Sequence, residues 1–256
     1  MKKWLILSWG LLFLGCSTVN DVFNEGIFGS DSKATSLVNI QTNQIVNNRI
    51  PLPTSFIRIL AANDYAYFIS RLNFKPIKNF TQEDDYIATV NTRLVNKKKQ
   101  FNTNAAYRLY YEYLFQEKNY NAIKFSDYKE IQPFTAYSST KSYEDFLAYL
   151  KYAFQYLDNS SLENDTQNIS LKNIQIGDMF YHYSYPKSNV VLVLDLAEDT
   201  HGNKIMLLGQ SIDASNAIHI INNKNNPEIS PWYYVKEGEI LTPEWRFYSE
   251  DLVRFK

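Results

Sequence analysis

The sequence predicts an α+β domain in which an antiparallel sheet packs against N-terminal helices. Two changes along the chain carry that prediction. Apolar residues recur at helical spacing up to about Leu157, whereas beyond Asp178 they alternate or run on without a break. Within the second part, Val190-Val191-Leu192-Val193-Leu194 is apolar at every position, the pattern of a strand covered on both faces. Helices followed by a run of strands favour segregated layers over a wound parallel sheet.

The first 16 residues, MKKWLILSWGLLFLGC, start with Lys2 and Lys3 and continue as an apolar run from Trp4 to Leu14. That is the pattern of an export signal, and it is shorter than the roughly 20 apolar residues that span a bilayer. Leu12-Phe13-Leu14-Gly15-Cys16 resembles a bacterial lipobox. The resemblance implies cleavage after residue 15, lipidation of Cys16 and attachment to a cell-envelope membrane, with an outer-membrane address compatible with Ser17. Residues 16–49, rich in Asn, Ser, Thr and Gly, then form a polar tether, and residues 50–256 a single domain.

Inside the domain, Asn63 caps a short helix over 64–72, with Tyr65, Phe68, Ile69 and Leu72 on one face and Pro76 beyond its end. Residues 86–95 mix β-branched and polar positions, as in a partly exposed strand, before the solvated Lys97-Lys98-Lys99 turn. Ala105, Ala106, Leu109, Tyr113 and Leu114 form the stripe of a helix over 103–116, capped by Asn102. The strongest helical pattern covers 143–157, where Ser142 and Asp145 have capping-box spacing. A polar connection follows to about Asn173. Strands are predicted over 178–185, 190–196, 204–210 and 217–221, joined by turns rich in Pro, Gly, Asn and Ser. Pro231 and Pro243 place the final aromatic residues on irregular segments that cross the sheet.

Composition narrows the function. Lys plus Arg number 26 and Asp plus Glu 27, with no basic face, so nothing attracts a nucleic acid. The single cysteine excludes an internal disulfide, and its use as a lipid anchor leaves no thiol nucleophile. The three histidines, His182, His201 and His219, lack metal-site spacing, so no metal and no cofactor is expected.

His219 stands mid-strand shortly after Ser211 and Asp213, which offers an amide or ester hydrolase reading without a nucleophile-elbow glycine pattern. Trp232 and Tyr233 either close the core or offer a surface on which a ligand stacks.

Several strings in order resemble the bacterial domain-of-unknown-function family 4846. They are Ile50-Pro51-Leu52-Pro53 with Phe56 and Arg58, Arg108-Leu109 with Glu112-Tyr113-Leu114, Ile176-Gly177-Asp178, and the strand after Asn189. Leu207-Leu208 with Gln210-Ser211, Ile218-His219, Ser230-Pro231-Trp232-Tyr233 and Thr242-Pro243-Glu244-Trp245 complete the set.

The family layout is similar to that of NlpC-like cell-wall cysteine peptidases, which implies a papain-like fold in degenerate form. In that resemblance Asn102 stands at the cysteine position, Asn189 at the histidine position, and Gln210 is the third polar residue. An amide neither forms a thiolate nor titrates near pH 7. The expectation is therefore a non-catalytic envelope lipoprotein that binds a peptidoglycan peptide or an envelope protein through Asn102, Asn189, Gln210, Trp232 and Tyr233. A hydrolase using His219 with Ser211 is the alternative, and a purely structural lipoprotein the third.

Overall fold

The computed structural model describes residues 50–76, 83–90, 103–127, 129–183, 188–211 and 217–256. The export signal, Cys16, the tether, the lysine turn, Asn102 and Asp213 lie outside the described residues.

The chain opens with β1 (Ile57–Arg58), α1 (Asp64–Ser70), β2 (Phe74–Pro76), β3 (Tyr86–Val90) and α2 (Thr103–Gln116). A small subdomain follows, made of β4 (Lys124–Ser126), β5 (Ile131–Pro133), α3 (Phe134–Tyr137) and α4 (Tyr143–Ala153). Then come α5 (Asn159–Asp165), β6 (Thr166–Asn168), β7 (Met179–His182), β8 (Asn189–Glu198), β9 (Lys204–Ser211) and β10 (Ile218–Ile221). The end of the chain holds β11 (Tyr233–Tyr234), β12 (Glu239–Leu241), β13 (Arg246–Tyr248) and β14 (Leu252–Phe255).

Ten strands form one sheet in the order β2-β3-β10-β9-β8-β7-β14-β6, with β1 beside β8 and β11 beside β9. Every pairing in it is antiparallel. The fold is thus α+β with a large antiparallel sheet, as its two apolar periods predict. Strand β8, apolar from Val190 to Leu194, is central, and it is buried from Asn189 to Ala197.

The helices sit where their patterns put them. Asn63 accepts the Ala66 N–H and caps α1, and Ser142 accepts the Asp145 N–H and caps α4. Helix α1 rests its Tyr65 ring on the turn before β7. There Gly177 has φ +93°, and a Cβ would meet Tyr65 ring carbons at 3.0 Å. Both the conformation and the space require glycine. Gly209 in β9 answers a different need, since a Cβ there would come within 2.4 Å of Leu194 Cδ1 and 3.0 Å of Ile218 Cγ2. A bulge between Val193 and Asp195 shifts the β8–β9 register, and the Asp195 carboxylate takes the Arg58 Nε–H at 2.9 Å.

Three expectations are corrected. The connection from 158 to 173 contains α5 and β6. Asp158 and Ser161 make a reciprocal capping box there, and Leu162 is the helix's single buried residue, so no apolar period marks it. The chain end contributes β14 between β7 and β6, too short to show alternation. Helix α4 also stops at Ala153, although Phe154 and Leu157 remain buried in the turn beyond.

Candidate functional site

Register decides which candidate residues meet. In an antiparallel pair, directly opposed residues share a face and their neighbours point the other way. His219 lies opposite Gln210 on one side and Thr89 on the other. Asn189 lies opposite His182. Because Leu192 pairs with Gly209, Asn189, three residues from Leu192, and Gln210, one from Gly209, lie on the same face. One face of the central strands therefore carries His182, Asn189, Gln210 and His219 amid aliphatic neighbours.

The surroundings of these groups differ. Gln210 is 1% exposed, and its Oε1 has no hydrogen-bond partner among the described residues. A buried carbonyl left in that state costs about 1–3 kcal/mol. The His219 ring is half-buried, with its centroid 5.2 Å from that of Tyr86. Tyr86 donates its hydroxyl to Glu244 at 2.9 Å, and burial together with that carboxylate pushes the phenol pKa far up. His182 is about a third exposed, and its Nδ1 lies 3.0 Å from Asp251 Oδ2, which also accepts the Tyr248 N–H at 2.8 Å. A carboxylate on Nδ1 fixes the imidazole orientation.

Ser211 pairs with Ile218 and is 3% exposed, so it projects from the reverse face to His219. The sheet itself stands between the hydroxyl and the imidazole of the hydrolase reading. Trp232 is fully buried and donates its indole N–H to the Pro51 carbonyl at 2.7 Å. Tyr233 is 4% exposed and donates to the Asn222 carbonyl at 2.7 Å. Both occupy the core, with their polar ends taken up by backbone. His201 lies in the exposed β8–β9 turn beside Asp199.

Helix α2, which follows Asn102, begins with buried Thr103 and Asn104. Thr103 Oγ1 and both ends of the Asn104 amide have no partner among the described residues. Farther along, Tyr110 stacks on Phe255 with centroids 4.2 Å apart and planes 6° from parallel. Phe255 shares a face with Val253, which pairs with Met179, which in turn pairs with Leu192. Here α2 covers the sheet face opposite to Asn189 and Gln210.

The sequence reading missed two constellations. The His182–Asp251 pair joins residues 69 apart, and no local pattern announces it. On α2, Arg108 forms a buried salt bridge with Glu112, and Tyr143 lies 3.2 Å from the guanidinium and 3.3 Å from the carboxylate. Burial holds the Glu112 carboxyl above its usual range in spite of Arg108. The i, i+4 spacing of these two was visible, but their burial was not.

Among the described residues there is no group of three or more His, Cys, Asp and Glu side chains placed to hold a metal ion. Nor is any described helix long and apolar enough to cross a membrane. No curated protein and no solved structure matches the chain. The sequence model of one family, described as a domain of unknown function (4846), matches residues 127–254. That span includes His182, Asn189, Gln210 and His219, whereas the resembling strings before residue 127 fall outside it. Half of the chain is matched, and the protein belongs to the domain-of-unknown-function family 4846.

Proposed function

We propose that the protein is a lipid-anchored component of the bacterial cell envelope that binds an amide-bearing ligand, a peptide or cell-wall fragment, without hydrolysing it. The observation that supports this reading is the buried Gln210 carbonyl, which has no donor among the described residues and lies opposite His219. A ligand N–H would satisfy it, and the adjacent imidazole would supply a second hydrogen bond. Asn189 on the same face adds an amide where the resemblance implies an imidazole. Asn102 stands where it implies a thiol.

Amides at those two positions bind and orient but do not attack a carbonyl or carry a proton. The layout of a degenerate peptidase belongs to this proposal only for Asn189 and Gln210, because α2, which follows Asn102, covers the opposite face of the sheet. The anchor belongs to it as well, and rests on the Lys2-Lys3 start, the apolar run and Cys16.

Acyl labelling of Cys16, compared with Cys16→Ser, tests the anchor. For the ligand, calorimetric titration of the full chain in detergent with defined peptidoglycan stem peptides is expected to give saturable heat without product. Gln210→Ala and Asn189→Ala should each weaken binding. Turnover that disappears on Ser211→Ala would establish the hydrolase instead. Absence of any heat with stem peptides would leave the structural role.

A further inference from the structure

We propose that Tyr137, Tyr152 and Tyr156 form a separate binding surface for neutral pyranose sugars, remote in sequence from the Gln210–His219 strip. The surface is built from the end of α3, the last turn of α4 and the turn beyond it. Tyr137 is 48% exposed, and Tyr152 and Tyr156 are half-buried. The Tyr137 and Tyr152 rings lie within 20° of parallel at 6.3 Å, and Tyr156 meets Tyr152 edge-on at 5.3 Å.

These rings are held from beneath. Phe125, 3% exposed, stacks on Tyr156 at 5.5 Å and meets Tyr152 at 5.3 Å. Buried Tyr149 contacts the Tyr137 ring at 5.5 Å, and its hydroxyl is fixed on the Gln132 carbonyl at 2.6 Å. Rings already ordered lose little entropy when a ligand settles on them. An aromatic face suits the C–H face of a pyranose, which is apolar and flat.

The neighbouring polar groups narrow the ligand class. Gln132, whose carbonyl holds the Tyr149 hydroxyl, ties Asp127 and Glu130 to the tyrosine cluster. Each already holds the Gln132 Nε2 amide, at 3.0 and 3.2 Å. Carboxylate lone pairs beyond those bonds accept sugar hydroxyls. Lys129, in the same turn as Asp127, leaves this patch with a net charge of -1, which disfavours an anionic ligand. A hydroxyl-rich neutral chain supplies donors to these carboxylates and an apolar C–H face to the rings.

The probe is the tetramer of N-acetylglucosamine, added to the full chain in detergent and followed by saturation-transfer NMR on the tyrosine ring protons. Saturable binding is expected. Tyr137→Ala or Tyr152→Ala should weaken it about two- to tenfold, the size of one lost aromatic contact. Tyr137→Phe and Tyr152→Phe keep the rings and should retain it, which separates lost stacking from lost folding. Tyr67→Ala, an exposed tyrosine on α1, should leave binding unchanged. Lack of saturation in the unmodified chain overturns the proposal, as does binding that survives both alanine variants. Ring signals that follow protein concentration and ignore sugar would identify a second copy as the occupant and overturn it too.

Discussion

His219 faces Gln210 across β10 and β9, while its neighbour Ile218 faces Ser211. A one-residue offset in register thus selects the amide over the hydroxyl as the partner of the imidazole. If stem peptides bind as proposed, His219→Ala and Gln210→Ala should couple in a double-mutant cycle by about 0.5–3 kcal/mol. His219→Ala and Ser211→Ala should couple less. Equal coupling in the two cycles, read from calorimetric affinities, would contradict the shared-face arrangement.

Gly209 touches the heart of the sheet. Its replacement by alanine puts a methyl 2.4 Å from Leu194 Cδ1, and the flanking strands restrict how far that side chain can withdraw. We expect Gly209→Ala to destabilise the fold by roughly 1–3 kcal/mol. The Leu194→Ala background should reduce that cost. Urea midpoints of the four variants check both statements.

Arg108 and Glu112 are each only 1% exposed. Removing one member strands the other charge in the interior, so Glu112→Ala should cost about 3–5 kcal/mol. Replacing both, as Arg108→Met with Glu112→Leu, should cost far less. If the double variant is as unstable as the single one in denaturant titration, the pair contributes through a role other than charge compensation.

Asp145 provides a pH signature. Hydrogen bonds from Thr140 and Ser138 hold its carboxyl below the usual range. A folded value below the unfolded one means that, around and between the two values, the native state binds fewer protons than the unfolded chain at the same pH. The stabilisation is complete above the unfolded value, roughly 3.9, and disappears as pH drops through the folded value. Thermal melts should show the original chain above Asp145→Asn at near-neutral pH. The gap should close in acid as the pH falls through the folded value. A gap that persists there would assign the effect to packing.

Local chemistry made much of this fold legible. Asn63 and Ser142 announce helix starts through a side-chain oxygen that needs no distant partner. The residues of β8 reveal a doubly covered strand because burial on both faces permits no polar alternation. What could not be read was long-range. Strand β14 finds its place between β7 and β6 by pairing with residues more than 70 positions earlier. The His182–Asp251 contact depends on that same return of the chain.

At the site, Asn189, Gln210 and His219 were identified one by one, but their common face depends on register. Ser211 was paired with His219 because sequence spacing does not distinguish the two sides of a sheet. Trp232 and Tyr233 were read as either core or surface, and aromatic density alone does not choose between them.

The entry of the chain into the domain has a mechanical side. The Pro51 carbonyl holds the Trp232 indole, Arg58 holds Asp195, and β1 lies antiparallel to the far end of β8. A pull on the chain at Ile50 would load those attachments before it reached α1. They insert into the middle of the sheet, so tension would be shared by the most deeply embedded strand and would not peel an edge.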